Sequence, residues 1–296
     1  MKANTDVRVA IDGKLVASPS ISVFDRGFLY GDSVFETTRT YDGLPFRLVE
    51  HIERLAWSAA KLGFDLPLTV SDFAGEIEGL IAVARERDPG VDLVVRQMVT
   101  RGEGPLGLDP AGSRDPRRVV FIHPLRGLPK SIYTEGVAVV CVSTFRPSDA
   151  ARGAKVGNYL ESILALKEAR ASGAHEALIL SHDGCLVEGT TSNVFALSGR
   201  QLLTPPVTET LLPGITRALV IAAAKSLSLE VIERRMDPRD LASADEAFLT
   251  STIREVVPVV TSDGVAIGAG KPGPLTRTIH SAFRQREGLP GPQPWE

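Results

Sequence analysis

Ala154-Lys155-Val156-Gly157-Asn158-Tyr159-Leu160 and Leu186-Val187-Glu188-Gly189-Thr190-Thr191-Ser192-Asn193-Val194-Phe195 are the two stretches on which the reading of this chain turns. Lys155 stands at the end of a strand-like region and just before a helix, so it can be held with little freedom. A lysine becomes nucleophilic when desolvation or a neighbouring cation lowers its pKa, and a lysine in a Schiff base can also shuttle protons. A lone lysine is ordinarily a surface charge; its surroundings are what set this one apart. Glu188 lies between two strand-like segments, where a carboxylate can keep a heterocyclic nitrogen protonated; taken alone it would be a turn glutamate in water.

A third stretch, Leu212-Pro213-Gly214-Ile215-Thr216-Arg217, opens a helix whose free backbone N–H groups can grip a phosphate with help from the Thr216 hydroxyl. By itself it is also an ordinary proline-glycine helix start. Ser251-Thr252, after a strand from Glu246 to Thr250, offers a further hydroxyl, and Arg54 offers a compensating positive charge.

Outward from these stretches the chain alternates strands and helices. Val7 to Ala10 and Lys14 to Val16 flank Asp12-Gly13, a hairpin signal. Leu48, Ile52, Leu55, Ala59 and Leu62 keep helical spacing within 47–64, and a second helix is expected over 71–87. Strands are expected over 92–100, 117–123 and 137–143, and helices over 159–172, 215–226 and 274–286. Pro124-Leu125-Arg126-Gly127-Leu128-Pro129 interrupts any periodicity and reads as a linker, which divides the chain into domains 1–126 and 127–296. The Pro- and Gly-rich tail 288–296 reads as loosely held.

With 296 residues, 43% of them hydrophobic, there is ample material for two cores. A net charge of −3, with both signs mixed along the chain, gives no attraction to nucleic acid or a membrane surface. Cys141 and Cys185 have no partner at ligand spacing, so neither a disulfide framework nor a metal site is expected. No secretory leader is visible and no run of about 18 apolar residues occurs, which makes the cytoplasm the expected compartment.

A covalent lysine, an acid for a pyridine nitrogen and a phosphate cup are the parts that pyridoxal phosphate chemistry requires. They occur in an order that resembles the class IV, or fold type IV, aminotransferases, a family that includes branched-chain and D-amino acid aminotransferases and aminodeoxychorismate lyase. The resemblance extends over almost the whole chain. It also rests on Phe24-Asp25-Arg26-Gly27-Phe28-Leu29-Tyr30-Gly31-Asp32-Ser33-Val34-Phe35-Glu36-Thr37-Thr38-Arg39 and on Glu50-His51-Ile52-Glu53-Arg54-Leu55. It implies an α/β fold with a small N-terminal domain, a larger C-terminal domain and pyridoxal 5'-phosphate in the cleft between them. By the same resemblance Lys155 bonds the cofactor covalently, Tyr159 meets its phenolic oxygen, and Glu188 meets its pyridine nitrogen. Arg54, Ile215, Thr216 and Thr252 hold its phosphate. A homodimer is implied, with Tyr30 reaching across the interface.

The substrate side is implied to involve Tyr30, Phe35, Thr37, Arg39 and Arg96. Arg39 and Arg96 suit the branched-chain type. Val94 replaces a tyrosine frequent there, and Thr37 is more like the lyases. Leu106 stands where the lyases use an arginine, and the loop around it lacks the Arg-x-His pair of D-amino acid enzymes. Branched-chain or broad L-amino acid transamination to a 2-oxo acid is therefore ranked first, then lyase activity, then D-amino acid or (R)-amine transamination. Gly102-Glu103-Gly104-Pro105-Leu106-Gly107 matches a dinucleotide fingerprint, but Leu108-Asp109-Pro110 forbids the helix that must follow. The five histidines, and Trp57 and Trp295, read as packing, surface or tail residues.

Overall fold

A computed structural model describes residues 6–143, 153–207 and 211–296. The chain divides into two compact units, Met1–Arg126 with Ala154–Asn158, and Gly127–Gly153 with Tyr159–Glu296.

The first unit is built on an antiparallel sheet of β1 (Arg8–Ile11), β2 (Lys14–Val16), β3 (Ser33–Tyr41), β4 (Leu44–Pro45), β5 (Leu93–Thr100) and β6 (Arg118–Pro124), in the order β2-β1-β6-β5-β3-β4. A short α1 (Arg26–Tyr30) precedes β3, and α2 (Leu48–Lys61) and α3 (Val70–Arg87) follow β4. The apolar stripe of α2, Leu48, Ile52, Leu55 and Ala59, packs with Phe73, Ile77 and Ile81 of α3 on Val34, Val95, Val99, Val120 and Ile122 of the sheet. Because side chains alternate along a strand, Phe35, Thr37 and Arg39 point to the face opposite Val34. Register places Met98, Arg96 and Val94 across from them on that same face.

The segment 154–158 was expected in the second domain but groups with the first unit. Val156 bridges Val34, the Phe35 amide donates to the Lys155 carbonyl at 3.0 Å, and the Gly157 amide donates to the Ser33 carbonyl at 2.7 Å. A Cβ on Gly157 would lie 2.0 Å from Ser33 Oγ, so any other residue here would have to displace that hydroxyl.

Among the described residues the second unit carries a nine-stranded mixed sheet. Its strands are β7 (Val137–Ser143), β8 (Glu176–Leu180), β9 (Leu186–Gly189), β10 (Asn193–Ser198), β11 (Gln201–Thr204), β12 (Glu230–Glu233), β13 (Glu246–Ser251), β14 (Glu255–Ser262) and β15 (Val265–Ala266). Its helices are α4 (Ser131–Thr134), α5 (Leu160–Ala171), α6 (Ile215–Ser226), α7 (Pro238–Ala242) and α8 (Pro274–Arg286). Parallel neighbours β7 and β8 are joined through α5, and β11 and β12 through α6, as parallel pairing requires. The sheet is covered on both faces: Phe195, Leu197 and Phe248 pack against Val220 and Ala223 of α6 and Ile279 and Phe283 of α8, while Val194, Ala196 and Leu249 enter a different core with Leu241.

The tail departs from expectation. Trp295 packs against that second core and meets the His280 ring edge-on at 5.1 Å, and Lys130 Nζ donates to the Glu296 carbonyl at 2.6 Å. A large aromatic ring with a place to bury outweighs the looseness that proline and glycine suggest.

Candidate active site

In the first unit, four cationic side chains, Lys155, Arg96, Arg39 and Arg54, and a buried glutamate gather around β3 and α2. Lys155 Nζ lies over the Phe35 ring, 4.7 Å from its centroid, and the Arg96 guanidinium lies over the same ring at 3.9 Å. Cations are attracted to the negative face of an aromatic ring, so Phe35 is a shared floor for the two. Arg39, next along that sheet face, lies over Tyr41 at 4.0 Å and 3.9 Å from Asp92. On the opposite side of β3, Glu36 is fully buried and takes Nε of Arg54 at 2.6 Å, Nη2 of Arg54 at 2.8 Å and Nδ1 of His51 at 2.8 Å. Burial by itself would raise the Glu36 pKa, but the Arg54 guanidinium and the His51 bond hold it well below the usual carboxylate range. Burial lowers the His51 pKa, as do the charges of Arg54 and Lys155, against the pull of Glu36. The neutral ring therefore donates from Nδ1 to the carboxylate, and its buried Nε2 finds no partner among the described residues.

Tyr30, at the end of α1, accepts the Gly107 amide at 2.8 Å through its hydroxyl. The nearly buried Arg26 holds the same loop, donating to the carbonyls of Gly107 and Leu108 at 3.0 Å and of Asp109 at 3.3 Å. No helix follows the glycine-rich stretch from Gly102 to Gly107, which pairs Glu103 with Arg114 instead.

In the second unit, Glu188 and the start of α6 come together. The Leu212 amide donates to Glu188 Oε2 at 2.9 Å, and Asn193 Nδ2 donates to the Leu212 carbonyl at 3.0 Å. A Cβ on Gly214 would lie 2.0 Å from Asn193 Oδ1, so glycine sets how closely the turn approaches β10. Gly214 caps α6 with no side-chain hydrogen bond, so no cap side chain occupies the first-turn amides, and a helix start of this kind favours an anion. Asn193 pairs with Thr250 across β10 and β13, and the buried Thr250 Oγ1 has no partner among the described residues. Thr252 follows in the turn before β14, and Tyr159 precedes α5. An uncapped helix start and an orphaned hydroxyl offer donors, and a nearby carboxylate offers an acceptor, a set that fits a phosphorylated ring with a protonated pyridine nitrogen.

Glu176 braces this group. Its carboxylate accepts from Ser192 Oγ at 2.8 Å, from the Thr191 amide at 2.9 Å and from Arg254 Nη2 at 2.6 Å. Burial alone would raise its pKa, but Arg254 and these donors bring it below the ordinary value. Sequence reasoning singled out Tyr30, Phe35, Thr37, Arg39, Arg54, Arg96 and Lys155, which fall in the first unit, and Tyr159, Glu188, Ile215, Thr216 and Thr252, which fall in the second. It missed Glu36, His51, Glu176, Asn193 and Thr250. The spacing His51-x-x-Arg54, which puts both side chains on one helix face, was the available signal for His51.

Residues 33–261 match the class IV aminotransferases. The chain belongs to this family. A Methanocaldococcus jannaschii relative named "Putative branched-chain-amino-acid aminotransferase" is 40% identical over 94% of this chain and 96% of its own length. A D-alanine aminotransferase of Bacillus licheniformis is 33% identical over 94% and 96%. The crystal structure of the T.th. branched-chain amino acid aminotransferase with pyridoxamine 5'-phosphate superposes with a TM-score of 0.85 at 31% identity, over 95% of this chain and 93% of that one. As a class IV aminotransferase the protein is a pyridoxal-phosphate-dependent enzyme with the mixed α/β fold of that family. No helix among the described residues is long and apolar enough to cross a membrane.

Proposed function

We propose that the enzyme transfers the amino group of a branched-chain, or more broadly an apolar, L-amino acid to a 2-oxo acid. The observation that carries this reading is the Phe35 ring with Lys155 Nζ and the Arg96 guanidinium both over it. A substrate held there meets a lysine, a cation for its carboxylate and an apolar surface of Phe35, Val94 and Met98 for its side chain. Thr37 and Arg39 edge the same face, with Arg39 backed by Asp92. The names of the relatives support both branched-chain and D-alanine substrates, which makes stereochemistry the point to test.

Bound pyridoxal phosphate supplies an electron sink that stabilises negative charge at the substrate Cα. Lys155 would hold the cofactor covalently, and its Nζ, when free, would move the substrate proton from Cα to C4′. Glu188 keeps a proton on the pyridine nitrogen, with Leu212 fixing the carboxylate. Tyr159 donates to the phenolic oxygen. Ile215 and Thr216 bind the phosphate through amides and hydroxyl, Thr252 adds a hydroxyl, and Arg54 adds charge. Arg96 orients the substrate carboxylate so that Cα faces Lys155.

A homodimer is part of the proposal, with Tyr30 and its loop serving the neighbouring copy. Leu160, Ile163 and Leu164, all more than half exposed, form one apolar stripe on α5, and Phe24 and Phe28 add to the uncovered apolar surface. Two unpaired cysteines are in keeping with work in the reducing cytoplasm. Purified enzyme given L-leucine, D-alanine, an (R)-amine or aminodeoxychorismate, each with and without 2-oxoglutarate, tests the reading. L-leucine reacting fastest, and only with acceptor, is the expected result. Faster reaction of D-alanine reverses the stereochemistry, and pyruvate formed from aminodeoxychorismate without acceptor replaces transamination by elimination.

A further inference from the structure

The helix that carries Arg54 also touches Lys155 itself. Ser58 is completely buried in the third turn of α2, and its hydroxyl accepts the Lys155 amide at 3.1 Å. His51, Arg54 and Ser58 follow one another at helical spacing, so they form a polar stripe beside the apolar one that packs into the core. The first two grip Glu36 of β3 and the third grips residue 155. The other main-chain group of the lysine is fixed as well, because its carbonyl accepts the Phe35 amide at 3.0 Å.

Residue 155 is therefore pinned between two elements: its N–H by a helix side chain, its carbonyl by a strand. The bond to Phe35 belongs to strand-edge pairing that Val156 and Gly157 extend, and it would form with any side chains present. The bond to Ser58 depends on one hydroxyl. Alanine at this position leaves a main-chain donor without its acceptor at the residue whose side chain must be aimed. Rotation of the peptide to find another acceptor would swing Cβ of Lys155 and move Nζ away from its place over Phe35.

We propose that Ser58 is a positioning residue for Lys155: through the main chain, its hydroxyl sets the direction in which the lysine amine reaches the cofactor and the substrate Cα. This rests on Lys155 being the cofactor lysine. A displacement of about 1 Å at a reacting group can cost up to about a hundred-fold in rate, so a partial misalignment is expected to cost about ten-fold.

The test uses holoenzyme of the wild type and of Ser58→Ala. Borohydride reduction followed by peptide mass spectrometry of the wild type first locates the bonded lysine; modification elsewhere sinks the reading beneath the inference, whatever Ser58 does. With Lys155 modified, two quantities are compared at full cofactor loading. One is the visible circular dichroism of the bound cofactor, which reports how its ring is held; the other is the single-turnover rate with a saturating L-amino acid. Ser58→Ala is expected to change the dichroic amplitude by at least half and to slow the single turnover about ten-fold, with the concentration for half-saturation nearly unchanged. Ser58→Cys, close in shape and a weaker acceptor, should fall between, and stands in for alanine if that variant does not fold. Unchanged dichroism and turnover, with or without a lowered melting temperature, would reduce Ser58 to a structural tie and overturn the proposal.

Discussion

Each unit of this enzyme buries one glutamate between a histidine and an arginine of a single helix. In the first, Glu36 of β3 meets His51 and Arg54 of α2. In the second, Glu255 at the start of β14 meets His280 Nε2 at 2.8 Å and Arg284 Nη1 at 2.8 Å, both on α8. Burial would raise the Glu255 pKa, but the interaction with His280 and the Arg284 guanidinium hold it at about 2. The surroundings differ. Glu255 has a left-handed backbone, φ 58°, and its histidine is enclosed by Tyr133, Phe283 and Trp295, so this cluster holds a strained corner and seals a core. The Glu36 cluster lies beside Lys155, feels its charge, and shares its helix with the serine that touches residue 155. Similar local chemistry thus serves architecture in one place and the reacting lysine in the other.

The sharpest separation should come at the lysine. Lys155→Ala is expected to lower turnover by at least about a thousand-fold while keeping the melting temperature, since it removes the nucleophile and leaves both clusters intact. Steady-state rates with L-leucine and 2-oxoglutarate check this. Arg96→Met comes next, raising KM for the amino donor by about thirty-fold with a smaller change in kcat, in line with the loss of a charge-assisted contact. The two histidines then oppose each other. His51→Phe should weaken cofactor binding about ten-fold in an absorbance titration, because Glu36, which holds Arg54, loses the bond that steadies it. His280→Phe should lower the urea midpoint and leave cofactor affinity unchanged; equal effects on affinity would erase the distinction between the clusters.

The smallest effect is one that both clusters share. The folded pKa of His51 and of His280 lies below the free value of 6.5, so the unfolded chain binds more protons below that pH. Stability should therefore fall as pH drops from about 7 toward 5, by about 1.4 kcal/mol for every tenfold loss of proton affinity that folding imposes on a ring. Glu255 adds a further loss only at lower pH, between its ordinary value of 4.5 and about 2. Urea midpoints across pH 7 to 5 should decline less steeply in His280→Phe than in the wild type.

What could be read from the sequence was what depends on neighbouring residues. Lys155, Glu188 and the Pro213-Gly214 helix start sit in local patterns, and the helices at 215–226 and 274–286 have the bounds their periodicity and caps imply. The ion clusters could not be read because their members come from different elements: Glu36 and His51 are 15 positions apart, Glu255 and His280 are 25 apart. Arg54 was legible as a cation, but not the carboxylate that occupies two of its nitrogens. The tail was misread because composition reports the looseness of a free chain and not the burial that awaits Trp295. Grouping of 154–158 with the first unit was hidden for a similar reason, since nothing around Lys155 announces a partner at Val34.

That last pairing bears on how the enzyme is made. A nascent chain released through Arg126 has all six strands of the first sheet, yet the Val34 edge of β3 still lacks the segment that covers it. Bare strand edges invite pairing with other chains. Until translation has passed Asn158, the N-terminal half is an unfinished body that chaperones should recognise, and a fragment ending at the natural boundary should aggregate unless residues 154–158 are supplied as a peptide.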